Sequence, residues 1–188
     1  VFLDRHTLAP GVRLAFDLIP EAEYREYAAT SVEQVPTRAQ EAAVIITNKV
    51  PLTASVLRAL PRLRMVAVAG TGVDHVDLDA ARDARIVVAN VRDYATHSVP
   101  EHVFGMLLAL RRNLIRYHNA VRTGGWSQAG AFCLHTYPIE DLAGATLGVI
   151  GGGALGRAVA RLGEAFGMQV LILGPNGELW KPTHGILP

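Results

Sequence analysis

Cysteine, long apolar runs and an excess of charge of either sign are all scarce in this sequence. Its single cysteine, Cys133, cannot form an internal disulfide and lacks the spacing of a metal site. The 18 Lys and Arg against 17 Asp and Glu leave a net charge of +1, which argues against a nucleic acid or a membrane surface as the main partner. No apolar stretch reaches the length of about 18 residues that spans a membrane. We therefore expect a cytoplasmic protein with no metal, no nucleic-acid partner and no membrane partner.

The first half of the chain alternates short apolar segments with polar or helical ones. The chain starts with Val rather than Met, and its first residues lack the basic-then-apolar pattern of a signal peptide and read as a strand. Further strands are predicted at residues 43–47, 65–69 and 86–89, and helices at residues 53–60 and 76–84. Asp77 is a good cap for the second helix. This alternation predicts a parallel sheet with helices on both faces.

A long helix and an irregular segment follow. Ser98, Pro100 and Glu101 form a capping-box pattern with proline inside the first turn. The helix is apolar nearly all round at first, which predicts burial, and becomes basic from residue 111 to residue 118. Residues 123–138 are irregular and contain three aromatic side chains. Two interpretations of this arm remain open, a subunit interface or a loop packed on its own domain.

Residues 146–156, TLGVIGGGALG, are the most informative segment of the chain. They read as a buried strand, a G-x-G-x-x-G turn and the start of a helix, and residues 168–173 read as a second strand. In such a turn the glycines allow close backbone approach, and the helix N-terminus offers free N–H groups to a pyrophosphate. The pattern predicts a dinucleotide site, and the alternative is a glycine-rich structural turn.

The last segment, residues 174–188, has no helix or strand period and is rich in proline and glycine. We expect a loop or a disordered end there. A change of reading frame that makes this segment foreign to the fold is a further hypothesis.

Four segments together resemble one family of enzymes. They are VAGTGVDHVD (68–77), NVRDYATHSVPEH (90–102), DLAGATLGVIG (141–151) and AFGMQV (165–170). In these segments the chain resembles the D-isomer-specific 2-hydroxyacid dehydrogenases, and within them the glycerate dehydrogenase (hydroxypyruvate reductase) members. The resemblance covers about residues 1–173. It implies a flavodoxin-like substrate domain over residues 1–96, then the start of a Rossmann dinucleotide-binding domain over residues 97–188, with a dimerisation arm at about residues 98–138.

The resemblance also implies roles for individual residues. The substrate carboxylate is expected at the backbone N–H groups of a loop whose glycines expose donors, with a strand-end turn as the alternative. Lys49, at a strand end, is expected near the substrate, with a solvated loop lysine as the equal alternative. The substrate-binding set is Lys49, Ala69, Gly70, Thr71 and Gly72. The cofactor-binding set is Thr71, Thr96, Gly151, Gly153, Ala154, Leu155 and Gly156.

The chain departs from the family pattern at two places. The resemblance places a catalytic Arg, acid and His beyond the segments found here, so no catalytic residue is assigned and His97, His102, His118 and His135 do not match. Gly174 stands where the family usually has an Asp that binds the adenosine ribose, which leaves the choice between NAD and NADP open, with the family slightly favouring NAD.

The sequence therefore predicts part of an NAD(P)H-dependent oxidoreductase. The resemblance implies a small 2-oxo or 2-hydroxy acid substrate, such as hydroxypyruvate or glyoxylate, and a homodimer as the full-length state. We expect this chain alone to be inactive and marginally stable. A non-enzymatic nucleotide-binding or corepressor-like module is the alternative, and a chain without function is the third hypothesis.

Overall fold

A computed structural model describes residues 1–15, 19 and 21–180, with only the backbone of Trp180. The chain divides into two compact units, Val1–Arg92 and Asp93–Pro188. Both units combine helices with parallel strands. The predicted α/β class with parallel sheets is therefore confirmed.

The first unit is built on a parallel sheet of β1 (Val44–Thr47), β2 (Met65–Val68) and β3 (Val87–Ala89), in that order. Two single-residue bridges extend this sheet beyond β1, because Phe2 pairs in parallel with both Ile46 and Glu26. Counted along the chain, the extended segments lie in the order 2-1-3-4-5, which is the flavodoxin-like order. The predicted flavodoxin-like sheet is thus confirmed.

Side-chain caps begin two of the short helices of the first unit. Thr53 accepts a hydrogen bond from the N–H of Val56, and Asp77 accepts one from the N–H of Ala80, so the predicted cap at Asp77 is confirmed. The helices are α1 (Val35–Ala39), α2 (Ala54–Arg58) and α3 (Leu78–Asp83). The core between them and the sheet includes the buried side chains of Leu3, Val35, Ile45, Leu52, Leu57, Leu60, Val66 and Ile86.

The second unit begins with α4 (Ser98–Arg111), α5 (Leu114–Arg122) and α6 (Gly125–Gln128). The predicted capping box at Ser98 is wrong, because Ser98 is already the first helical residue and His97 is the N-cap, without a side-chain hydrogen bond. The predicted continuous helix is also wrong. It breaks at Asn113, whose φ of 49° lies in the left-handed region that asparagine tolerates.

Fewer side chains of α4 are buried than its apolar sequence predicts. Within it only Pro100 and Phe104 are buried, whereas Leu110 is 74% exposed. Phe104 stacks on Phe166 with ring centroids 5.1 Å apart. A single side of α4 therefore packs, and the prediction of a helix buried nearly all round is wrong.

The irregular arm packs in part on its own unit. Tyr117 and Tyr137 meet edge to face with centroids 5.4 Å apart, and the Tyr117 hydroxyl donates to the Tyr137 carbonyl at 2.6 Å. Trp126 and Phe132 remain exposed, Phe132 by 92%. The arm thus has one packed end and one exposed apolar part.

A strand–helix–strand unit completes the second half, as predicted. It consists of β4 (Thr146–Ile150), α7 (Ala154–Ala165) and β5 (Gln169–Leu173), with the two strands parallel and Thr146 opposite Gln169. Helix α7 packs closely on this sheet because Gly163 has no side chain. A β-carbon there would lie 2.8 Å from Leu147 Cδ2 and 2.9 Å from Val170 Cγ2.

The chain then turns back on β5, which the sequence did not predict. Strand β6 (Leu179–Trp180) pairs antiparallel with β5, so the expectation of a loop or disordered end is wrong for residues 179–180, whereas residues 174–178 form a loop. Pro175, Asn176 and Gly177, with Gly177 at φ +82°, form the reversal. The sheet is therefore three-stranded, and residues 181–188, including His184, lie outside the described residues.

Candidate functional site

The glycine turn joins the end of β4 to the first residue of α7. Gly151 has φ +100°, and Gly153 is the N-cap of α7 without a side-chain hydrogen bond to the helix. Ala154, Leu155 and Gly156 form the first helical positions. Because no side chain caps this turn, the N–H groups of the first helical turn are available to a ligand.

The third glycine of the motif is required by close packing. A β-carbon at Gly156 would lie 1.9 Å from the carbonyl oxygen of Gly151 and 3.3 Å from Val149 Cγ1. Any larger residue would force the helix away from the strand end. By contrast, a β-carbon at Gly151 or Gly153 would meet no atom within 4 Å, so the turn itself borders open space.

A cavity of about 610 Å³ lies at this turn. It is bounded by the end of β4, the glycine turn and the start of the β5–β6 reversal, and its lining residues are Ile150, Gly151, Gly152, Gly153, Gly174, Pro175 and Glu178. Ile150 is 88% exposed at its edge. The volume falls within the range of sites that bind small molecules, about 300 to 1,000 Å³.

One cation lies beside the glycine turn. Arg157 Nη1 donates to the carbonyl oxygen of Gly152 at 2.6 Å. This bond holds the guanidinium next to the N-terminus of α7, where its charge adds to the positive end of the helix dipole. An anion at the turn would therefore meet both the helix N–H groups and a fixed positive charge.

Thr96 lies apart from the cavity at the glycine turn. Its hydroxyl donates to the Asp93 carbonyl at 2.9 Å. It lines a separate cavity of about 300 Å³ between the start of α4 and the middle of α7, together with His97, Pro100, Glu101, Ala158, Arg161 and Leu162. The structure thus brings Gly151, Gly153, Ala154, Leu155 and Gly156 together and leaves Thr96 at another position of the same unit.

In the first unit, a buried carboxylate orders the segment after β1. Asp4 is 3% exposed, and its Oδ2 accepts from the N–H of Lys49 at 2.7 Å while its Oδ1 accepts from the N–H of Asn48 at 2.9 Å. The hydroxyl of buried Thr47 accepts from the N–H of Val50 at 3.1 Å. The backbone of Lys49 is therefore held firmly, while its side chain is exposed.

The loop after β2 runs beside the segment after β1. A β-carbon at Gly70 would lie 3.0 Å from Asn48 Oδ1, so the two loops touch. The N–H of Ala69 donates to the Thr47 carbonyl at 2.8 Å and is not free for a ligand. Thr71 also uses its polar groups internally, since its hydroxyl donates to the Val91 carbonyl and its own carbonyl accepts from the Asn90 amide, both at 2.8 Å.

The other backbone N–H groups of this loop are available to a ligand. Among the described residues, no acceptor is bonded to the N–H groups of Gly70, Thr71 and Gly72. Lys49 lies on the adjoining segment. The structure therefore brings Lys49 together with the loop of Gly70, Thr71 and Gly72, and removes Ala69 as a donor.

His75 is a polar residue of this region without a polar partner. Within the part of the chain that the structure describes, neither ring nitrogen has a hydrogen-bond partner, and both are buried. Burial lowers the pKa of His75 below 6.5, and the Lys49 charge lowers this pKa further against the opposing effect of Asp74 and Asp4. The neutral form of the imidazole is therefore favoured more than in an ordinary, solvated histidine.

Sequence reasoning missed three of these residues, Asp4, His75 and Glu178. The contact partners of Asp4 lie 44 and 45 residues further along the chain, so no local pattern shows them. For Glu178 a signal was present, because Pro-Asn-Gly before it favours a tight reversal.

Two negative findings apply to the described ranges 1–15, 19 and 21–180. No group of three His, Cys, Asp or Glu side chains is arranged to hold a metal ion. No helix there combines the length and the apolar character needed to cross a bilayer.

Comparison with known proteins gives consistent matches. The family model described as "D-isomer specific 2-hydroxyacid dehydrogenase, catalytic domain" matches residues 7–170. Glycerate dehydrogenase of Methylorubrum extorquens is 48% identical over 172 residues, which are 91% of this chain and 54% of that protein. Hydroxypyruvate reductase of Blautia hydrogenotrophica is 33% identical over 79% of this chain and 46% of its own length.

Among solved structures, D-lactate dehydrogenase of Aquifex aeolicus complexed with NAD and lactic acid has a TM-score of 0.69 and 31% identity, over 84% of this chain and 46% of that one. The chain spans about half the length of the curated relatives it matches. The resemblance stated from the sequence motifs is thus confirmed. This chain belongs to the D-isomer specific 2-hydroxyacid dehydrogenase family.

Proposed function

We propose that this chain provides the nucleotide-binding turn and the substrate-carboxylate loop of an oxidoreductase that interconverts a small 2-oxo acid and its 2-hydroxy acid. Hydroxypyruvate and glyoxylate are the substrates we favour, because the glycerate dehydrogenase of M. extorquens is 48% identical. The observation that carries the proposal is the uncapped N-terminus of α7 at a glycine turn bordering a cavity of about 610 Å³.

The residues at the turn fit the pyrophosphate of a nicotinamide dinucleotide. Gly151 and Gly153 leave open space where a side chain would stand, and Gly156 lets the helix approach the strand end. Ala154 and Leu155 would present backbone N–H groups to the phosphates, and Arg157 would balance their charge. When bound, the dinucleotide supplies the hydride that the reaction transfers.

The first unit would bind the acid end of the substrate. The N–H groups of Gly70, Thr71 and Gly72 can donate to a carboxylate without a side-chain charge, and Lys49 adds a cation on the adjoining segment. Asp4 acts at a distance, since it fixes the backbone of Lys49. The cofactor contacts predicted for Thr71 and Thr96 remain predictions.

We expect binding without turnover from these 188 residues. The resemblance assigns the substrate-clamping Arg and the proton-donating His to positions that no residue found here matches, and the ring nitrogens of His75 are buried without a hydrogen-bond partner among the described residues. A binding module that senses nucleotides would show the same behaviour. The two are distinguished by adding hydroxypyruvate to the bound NADH form and following NADH oxidation.

The experiment is a fluorescence titration of the purified chain with NADH and with NADPH. The proposal expects saturable binding of at least one nucleotide, and a severe loss of binding in Gly156→Ala, whose β-carbon would meet the Gly151 oxygen at 1.9 Å. Gly148→Ala is the matched control, because a β-carbon there meets no atom within 4 Å.

Three results are informative. Absence of binding by the folded wild-type chain would contradict the proposal. Equal binding by wild type and by a folded Gly156→Ala would contradict the assignment of the turn. Oxidation of NADH by hydroxypyruvate would contradict the expectation that the chain alone is inactive.

A further inference from the structure

The carboxylate of Glu178 lies over Gly174, at the end of β5. A β-carbon at Gly174 would stand 2.1 Å from Glu178 Oε1 and 2.5 Å from Glu178 Cδ, so the side chain occupies the space that any other residue at 174 would fill. The backbone supports this position, because the N–H of Gly174 donates to the Glu178 carbonyl at 2.8 Å. The absence of a side chain at position 174 is therefore what allows the side chain of Glu178 to fold back over this residue.

One carboxylate oxygen is held and the other is free. The N–H of Asn176 donates to Glu178 Oε2 at 2.9 Å, which fixes the direction of the side chain. Within the described part of the chain no donor is bonded to Oε1. Glu178, Gly174 and the glycine turn line the same cavity of about 610 Å³, so an acceptor is presented to whatever fills it.

We propose that Glu178 provides the carboxylate that accepts hydrogen bonds from the adenosine ribose hydroxyls and selects NAD over NADP. This inference rests on the proposed function. An acid beside the end of the second strand of a Rossmann unit can bind the ribose diol, whereas it repels a 2′-phosphate. Here the acid comes from the hairpin, five positions after Leu173, the last residue of β5, in place of a side chain at 174.

The surrounding charges support this preference. The cation beside the glycine turn, Arg157, is bonded to the Gly152 carbonyl, at the end of the site where we propose that the pyrophosphate binds. Among the described residues that line the cavity there is no lysine or arginine, and Glu178 is the one charged side chain. A 2′-phosphate placed near Gly174 would therefore meet a negative charge without a compensating cation from these described lining residues.

The test measures the dissociation constants of NADH and NADPH by calorimetry for the whole chain and its variants. In wild type we expect NADH to bind at least tenfold more tightly. Glu178→Gln keeps the shape but removes the charge, and it should weaken NADH by about tenfold and leave NADPH unchanged or tighter, because a charged acceptor bonds more strongly than a neutral one. Glu164→Gln makes the same charge change at the far end of α7 and should alter neither constant.

A double-mutant cycle separates this role from a structural one. Gly174→Ala should displace the carboxylate and reduce the preference for NADH in the wild-type background, and it should have little further effect on that preference in Glu178→Gln. A purely structural Glu178 would change both nucleotides equally. Circular dichroism of each variant establishes that it is folded.

The outcomes distinguish this inference from the proposed function. Binding of both nucleotides with an unchanged preference in Glu178→Gln would overturn the role of Glu178 and leave the nucleotide site standing. A wild-type preference for NADPH would do the same. Failure of the folded wild type to bind either nucleotide would overturn both proposals.

Discussion

At the scale of single residues, Asp4 is the position in the first unit at which we expect a substitution to lower the stability most. Asp4→Ala leaves the N–H groups of Asn48 and Lys49 without their acceptor. Hydrogen bonds to a charged group contribute about 1.5 to 3 kcal/mol, so we expect the free energy of unfolding of this unit to fall by about 3 kcal/mol. Urea denaturation followed by far-UV circular dichroism measures this change.

Asp79→Ala is the control for Asp4. Asp79 is exposed and pairs with Arg82 at 2.7 Å on the surface of α3. Such a pair contributes about 0 to 1 kcal/mol, so its loss should be small. Similar destabilisation by the two substitutions would contradict the role given to Asp4.

The lowered pKa of His75 predicts that the stability of the first unit depends on pH. Because its pKa in the folded unit lies below the ordinary value of 6.5, the unfolded chain binds the proton first as the pH falls. The associated loss of stability should be absent well above pH 6.5 and should grow as the pH falls through that value toward the lowered pKa. The measurement is the free energy of unfolding from pH 8 to pH 5, about three pH units around that value.

The readout is the slope, which should be smaller in His75→Gln than in wild type. His6→Gln is the control, because His6 is exposed. Identical slopes in wild type and His75→Gln would show that His75 does not titrate in this way.

At the scale of elements, the β5–β6 hairpin depends on its reversal. Gly177 has φ +82°, a conformation that costs an alanine about 1 to 2 kcal/mol. We expect Gly177→Ala to open the hairpin and to speed amide hydrogen exchange at Gly174, whose N–H is bonded to Glu178. Gly130→Ala carries comparable strain at φ +65° outside the hairpin and should leave that amide unchanged. Equal exchange at Gly174 in both variants would contradict this account.

Elements with a strong local signal could be predicted from the sequence. Asp77 begins α3 as expected, and the apolar segments after residue 145 form the expected strand–helix–strand unit. Predictions from the sequence pattern were wrong where tertiary packing determines the structure. Ser98 has the right spacing for a cap but lies inside the helix, and only one side of α4 finds a packing partner.

The candidate site shows the same division. The glycine turn could be read from the sequence because its residues are consecutive and each has a local geometric reason. Asp4 could not, since its partners are distant in sequence, and Glu178 lies four positions after residue 174, where the family pattern places the acid. The Pro-Asn-Gly segment is a weak signal for a hairpin. The position of the Glu178 carboxylate, however, follows from how its side chain folds back over Gly174, which the sequence does not show.

At the scale of the whole molecule, the second unit exposes much apolar surface. Leu110 is 74% exposed, and Ile115, Trp126 and Phe132 are exposed on the following segments. Exposed apolar patches of this kind favour association. We therefore predict that the chain self-associates through residues 98–138, and sedimentation velocity over a range of concentrations should show a dimer.

Leu110→Gln should shift this equilibrium toward the monomer. Val87→Gln is the matched control, because Val87 is also an exposed aliphatic residue but lies on β3 in the first unit. A monomer at every concentration, or an equal effect of both substitutions, would contradict the prediction.

We expect a nicotinamide dinucleotide to bind at the glycine turn before α7. The most direct measurement is NMR titration of the amide-labelled chain with NADH. Saturable shifts should be concentrated at the amides of Gly151 to Arg157, with Gly174 and Glu178 included. No saturable shifts, or shifts confined to residues outside these segments, would contradict this expectation.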